Sequence, residues 1–197
     1  MSCSAVIYSA KEIISEQSTT MIIFDYNMRD LNFPEYEFSQ KTVKGKTYLF
    51  DAIRKKYILL TPEEWVRQHC IKFLIEKGYP AGLIQVEREI RVFNQKKRVD
   101  ILAYDLLGKV MLLVECKAPG IPISQKVIDQ AARYNIGLGV PYLMVTNGLE
   151  HLCCHIDYEN EIYKFLSEIP LYEGDSSPNQ IPEYEYDVGI TPINPNQ

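Results

Sequence analysis

No long hydrophobic run occurs in the 197 residues of this chain. The longest, at 110–114, is the size of a strand, far short of the roughly 18 residues that a membrane-spanning helix needs. A secretory leader is not supported either, because the N-terminus offers only a short apolar patch at residues 5–8. Cysteines are few and odd in number. The five, at positions 3, 70, 116, 153 and 154, match no disulfide framework, so reduced thiols are expected. Internal repeats and a P-loop pattern are absent, which excludes a repeat array and a phosphate-cradling motor fold. What is left is the expectation of a cytoplasmic globular protein. Its 46% hydrophobic and 24% charged residues are ordinary for a packed domain.

The net charge of −5 hides an uneven distribution. Residues 28–157 hold 19 Lys/Arg against 15 Asp/Glu, a balance of +4, and the two flanks together carry −9. Acidity of the whole chain therefore does not exclude a polyanionic partner for its middle. Basic clusters fall at Lys41/Lys44/Lys46, Arg54-Lys55-Lys56 and Lys96-Lys97-Arg98. The same runs also fit solvated loop and strand-end charges.

Residues 1–31 read as an N-terminal extension, poorly ordered, and residues 173–197 as an acidic, Pro-rich, disordered tail. The domain between them spans 32–172. Thr61-Pro62-Glu63-Glu64-Trp65 starts a helix: Thr61 caps, Pro62 suits the first position, and Glu64 completes a capping box. The helix should run to Lys77 and bury Val66, Cys70, Phe73 and Leu74. Strands are expected at 83–92, 98–104 and 110–117. A helix capped by Ser124 should run to Ile136 and close at Gly137, and strands should follow at 141–146 and 151–156. The implied class is α/β (α+β): a mixed sheet flanked by helices in the order α-β-β-β-α-β.

The turn at Leu107-Gly108 sets the register of its two strands. Residues whose numbers sum to 215 should face each other, placing Asp100 opposite Glu115, Leu102 opposite Leu113 and Tyr104 opposite Met111. Asp100, Glu115 and Lys117 would then point the same way from otherwise apolar strands. Two facing carboxylates repel, and burying them is costly unless they are paired or bound to a cation. Mg²⁺ prefers carboxylate oxygens completed by water. An ion pair of Lys117 with one of the acids is the simpler alternative.

Arg98-Val99-Asp100 followed by Glu115-Cys116-Lys117 resembles the D…ExK signature of the PD-(D/E)XK nuclease superfamily. The first helix, with Glu63, Glu64 and Arg67, is similar to that superfamily's acid-bearing helix, and Gln130 with Tyr134 fits its Q-x-x-x-Y pattern. A closer resemblance is to the N-terminal nuclease domain of type I restriction enzyme R subunits, through residues 61–68, Tyr134-Asn135 and Thr146-Asn147-Gly148. It covers roughly residues 32–170. The resemblance implies a restriction-endonuclease-like core and Mg²⁺-dependent hydrolysis of DNA phosphodiester bonds, with Mn²⁺ as a possible substitute. Asp100, Glu115 and the Cys116 carbonyl would be metal ligands, Lys117 would position or activate water, and Gln130 would support the site. Of the first-helix acids, Glu63 is favoured for the site because it sits one turn before Arg67 and near the apolar stripe, whereas Glu64 has a sufficient role in the cap. Arg67, Lys96, Lys97, Arg98 and Tyr134 are the candidate DNA contacts, and a buried structural pair is an equal alternative for Arg67. The expected partners are DNA, a second copy, and a helicase or specificity subunit, with no membrane. A catalytically silent binding or assembly subunit of a restriction or defence complex is the alternative function.

Overall fold

A computed structural model describes residues 30–92, 95–136, 138–160 and 162–172, without the side chains of residues 92, 95, 133, 134, 136, 162 and 163. Residues 1–29 of the expected extension, the whole of the expected tail, Gly137 and the Tyr134 side chain lie outside the described residues. All but Asp30 of what is described belongs to one unit, Leu31–Gln197.

Three antiparallel strands come first: β1 (Gln40–Val43), β2 (Lys46–Asp51) and β3 (Lys56–Leu59). Lys44 and Gly45 join β1 to β2 with φ of 50° and 71°. Positive φ at both positions is the mirror-image turn that matches the twist of a two-residue hairpin.

Helix α1 (Pro62–Glu76) begins as its sequence dictates, with the Thr61 hydroxyl accepting from the Glu64 N–H at 3.1 Å. The capping box is only half made, because the Glu64 carboxylate turns to Arg54, Arg67 and Gln68 instead. Val66, Cys70 and Leu74 are buried as expected; Phe73 is half-buried and Ile71 takes the place expected for it. Gly78, with φ of 91°, turns the chain out of the helix.

The remaining elements are β4 (Ile84–Val92), β5 (Gln95–Tyr104), β6 (Val110–Cys116), helix α2 (Gln125–Ile136), β7 (Tyr142–Thr146), β8 (His151–Asp157) and β9 (Ile162–Leu166). They contain the expected α-β-β-β-α-β order. The strands form one six-stranded sheet in chain order, antiparallel except for the parallel pair β6–β7, whose crossover is α2. Strand β9 was not anticipated from the sequence. Asp157 folds the chain back into it by accepting from the Glu159 and Asn160 N–H groups.

The sheet buries both faces. Val66, Cys70, Ile71 and Leu74 of α1 pack with Ile101, Ala103, Leu112, Val114 and Met144, while Ala131 of α2 packs with Val99, Leu102, Leu113, Leu143 and Val145. Strands covered on both sides read as continuous apolar runs, and β6 and β7 do so.

Two histidines, His69 buried and His151 half-buried, hold residues 31–38 onto this frame. His151 bonds the Asn32 carbonyl at 2.7 Å and the Thr146 hydroxyl at 2.7 Å, and His69 packs in a cluster with the Phe38 and Trp65 rings, which also touch each other. The carbonyl requires a proton on Nε2 of His151, so a neutral ring accepts the Thr146 hydroxyl on Nδ1. Burial holds His69, His151 and His155 below the ordinary histidine value. A depressed histidine takes up its proton on unfolding. Its contribution is therefore complete above about pH 6.5 and is lost as pH falls through the lower folded values. The urea midpoint should fall between pH 7 and pH 5, and NMR titration should place these three histidines below 6.5. Midpoints at the free-histidine value would contradict this burial.

Candidate active site

The register of β5 and β6 is the one the turn implies over most of its length: Ile101 pairs with Val114, Leu102 with Leu113 and Ala103 with Leu112. Beyond Ala103 the ladder shifts, so Tyr104 faces Val110 rather than Met111. The next step at the other end brings Asp100 beside Glu115. On the opposite side of Asp100 runs β4, whose pairs Val86–Ile101 and Arg88–Val99 bracket Glu87. Glu87 adopts a φ of 49°, a left-handed conformation uncommon for a side chain in a strand. Inward alternation slips at the same level: Val99 packs on the α2 side, yet Ile101 packs on the α1 side. Asp100, between them, turns its carboxylate to α1.

There it meets Arg67. The guanidinium donates Nη2 to Asp100 Oδ1 at 2.7 Å and to Glu63 Oε1 at 2.8 Å, and Nη1 to Glu64 Oε2. Asp100 Oδ2 accepts the Cys116 N–H at 2.7 Å, which ties β5 to β6 beside Glu115. A second arginine extends the network. Arg54 bonds Asp51 Oδ2 at 2.5 Å, Glu64 Oε1 at 2.6 Å and Glu87 Oε2, and Gln68 bridges Asp51 and Glu64 at 2.9 Å each. The three-stranded sheet is thereby fixed to α1 and β4. By formal charge the acids Asp51, Glu63, Glu64, Glu87 and Asp100 exceed Arg54 and Arg67 by three. Burial alone would lower the Arg67 affinity for its proton. Asp100 and Glu64 more than reverse this and hold it above the ordinary arginine value.

Lys117 donates to Glu115 Oε1 at 2.6 Å, and its backbone N–H bonds the Thr146 carbonyl of β7. Burial pushes Glu115 above the usual carboxylate range and the neighbouring Asp100 adds to it, while Lys117 pulls the other way. Burial opposes the charge on Lys117, but Glu115, Asp100 and Glu63 together raise its affinity for a proton. The ammonium is thus held charged among acids, and Asp100, Glu115 and Lys117 share one electrostatic environment. Cys116 is fully buried. Its hydrogen bond with Cys70, and then burial, drive its thiol well above the ordinary value, which marks it as core rather than nucleophile.

The two first-helix acids divide their roles differently from the expectation. Glu64 is the buried one, with 8% of its side chain exposed, and it serves the arginines. Glu63 is 46% exposed rather than turned inward, yet it is the helix acid whose charge reaches Glu115 and Lys117. Arg67 takes the buried-pair alternative: at 3% side-chain exposure it offers nothing to a DNA phosphate. Arg98 is 67% exposed, loosely paired with Glu87 at 3.6 Å, and Lys96 pairs with Glu89 at 2.7 Å on the surface. Lys97 is half-buried. Gln130 lies half-buried on α2. Sequence reasoning missed Asp51, Arg54 and Gln68. Arg54 looked like part of a basic surface run, and for Glu87 the sequence leaves open both a place in the site and the alternating exposure of a strand.

A divalent cation suits this donor set. Asp100 and Glu115 supply hard oxygens, each still with lone pairs to offer, and the acids around them are in formal excess. Among the described residues no three His, Cys, Asp or Glu side chains are grouped to hold a metal by themselves. Backbone carbonyl and water would have to complete the shell, as Mg²⁺ accepts.

Residues 62–170, more than half of the chain, match the family model described as type I restriction enzyme R protein N terminus. A solved fragment assigned to an HsdR subunit of a type I restriction enzyme from Vibrio vulnificus YJ016 aligns with 56% of this chain at 24% identity and a TM-score of 0.44. The aligned part is 24% of that protein, so the chain spans about a quarter of its length. The comparison with curated proteins gives no match. None of the described helices is long and apolar enough to cross a membrane. With its helix α1, the six-stranded sheet and helix α2 all inside the matched region, the chain belongs to the family of type I restriction enzyme R protein N termini.

Proposed function

We propose that this chain is a Mg²⁺-dependent endodeoxyribonuclease of the PD-(D/E)XK type, hydrolysing DNA phosphodiester bonds. The observation that carries the reading is the meeting of Asp100, Glu115 and Lys117 across paired strands β5 and β6, in a chain of the restriction R family. Asp100, Glu115 and the Cys116 carbonyl would hold the cation, with Glu63 at the rim. A bound Mg²⁺ supplies charge to stabilise an attacking water and the phosphoryl oxygens. Arg67 holds Asp100 from behind, so its carboxylate needs no reorganisation on binding. Lys117 offers a charged donor beside the phosphate, orienting the water rather than taking its proton while Glu115 keeps the ammonium charged.

One observation favours the alternative of a catalytically silent binding or assembly subunit: Arg67 and Lys117 already bond both acids. Supercoiled plasmid incubated with the chain separates the two. Nicking with Mg²⁺ or Mn²⁺ that stops on chelation is the expected result. DNA binding that ignores chelator, with no nicking, supports the silent subunit.

A further inference from the structure

The three-stranded sheet precedes the residues that match the family, and its outward face takes no part in the carboxylate site. Leu49 and Asp51 of β2 point inward and are fully buried. The strand period therefore puts Tyr48 and Phe50 on the other face, with their cross-strand partners Lys41, Leu59 and Tyr57. Phe50 and Tyr57 are directly opposed, each 38% exposed, with ring centroids 5.3 Å apart. The Lys41 ammonium lies 4.1 Å from the centre of the Tyr57 ring. Lys46 shares this face as the partner of Val43, and Lys44 and Lys55 are exposed in the adjoining turns, whereas Lys56, opposite Asp51, belongs to the other face. Asp51 is the only acid between residues 40 and 59, and it is buried on Arg54. This face and its turns thus show solvent four lysines and aromatic rings, and no acid.

We propose that this face binds single-stranded nucleic acid, with phosphates on the lysines and unpaired bases stacked on Phe50 and Tyr57. Rings among evenly spread cations are the combination that tracks a backbone and stacks bases without reading sequence. Paired bases in a duplex are already stacked and leave the rings unused. A second copy of the chain docking by the same face would bring lysines against lysines. The inference does not rest on the nuclease reading, since no residue of the carboxylate site takes part.

The test is fluorescence anisotropy of the full chain with labelled oligo(dT), about 20 nucleotides long, and with a duplex of equal length, both in EDTA so that cleavage cannot intervene. The expected result is tighter binding of oligo(dT). The double substitution Phe50→Ala/Tyr57→Ala should weaken it roughly tenfold or more. Tyr57→Phe, which keeps the ring, should bind as the wild type does. Lys41→Gln/Lys46→Gln should flatten the dependence of log affinity on log salt by about 0.7 for each phosphate that is no longer neutralised. All these positions are exposed, and unchanged thermal midpoints will show that the variants fold. Absent oligo(dT) binding at low salt, equal binding by the ring-less variant, or preference for duplex would overturn the proposal. So would sedimentation showing a dimer that the alanine variant fails to form, which would assign the face to a second copy. Chelation removes the metal site from every arm, so a nuclease that fails to cut would leave these outcomes unaffected.

Discussion

Replacing Arg67 by alanine is expected to lower stability by about 3–5 kcal/mol, the range for removing one partner from a buried ion pair. The guanidinium is the only cation bonded to Asp100 among the described residues, and it also holds Glu63 and Glu64. Without it, Asp100 and Glu64 would stay buried, with Glu64 still on Arg54 and Asp100 left to one backbone N–H. Methionine would restore much of the missing volume but none of the charge, so Arg67→Met should be nearly as damaging. Arg67→Met combined with Asp100→Asn should recover part of the stability, because it removes the stranded charge. Urea unfolding of the four proteins measures this directly. A destabilisation below about 1 kcal/mol for Arg67→Ala would mean that the network is as weak as a surface salt bridge.

The second large effect concerns activity. Asp100→Asn should cut Mg²⁺-dependent nicking by about a hundredfold to a thousandfold, the usual scale for removing one preorganised electrostatic group. The amide oxygen of asparagine can still accept the Cys116 N–H, so the strands stay tied while the charge that would hold a cation is gone. Lys117→Ala should lower nicking on a similar scale, but for a different reason. It leaves Glu115 buried without its ammonium, and with Asp100 beside it that acid should become harder still to ionise. The amide nitrogen of that asparagine would face the Arg67 donor, so some stability is lost, and a thermal midpoint still well above the assay temperature for Asp100→Asn would separate a failure of chemistry from a failure to fold. Nicking at the wild-type rate by either variant would place the reaction elsewhere or show that it comes from a contaminant.

How much of this was legible in the sequence depends on whether a signal was local. Thr61 and Pro62 declare the start of α1, and Leu107-Gly108 sets the β5–β6 register, because caps and turns are fixed by neighbours in the chain. The approach of Asp100 to Glu115 follows from that register. The role of Arg67 does not. Its four acids come from α1, β4 and β5, and only the first two of them, Glu63 and Glu64, lie within a helical turn of it. Arg54 was hidden for another reason: beside Lys55 and Lys56 it reads as a solvated basic run, yet Asp51 three residues earlier folds it inward. Reciprocal capping was the natural role for Glu64, and the two arginines outcompeted it. Strand β9 pairs only with β8, at the edge of the sheet, and its short run of residues carries little sequence signal.

The most direct test of a shared cation is a crystal of the chain soaked in Mn²⁺ and measured for anomalous scattering. A single peak between Asp100 and Glu115, at about 2.0–2.4 Å from an oxygen of each, is the expected result for a hard divalent ion on carboxylates. A crystal with no peak there, and with Arg67 and Lys117 still seated on the two acids, would contradict it.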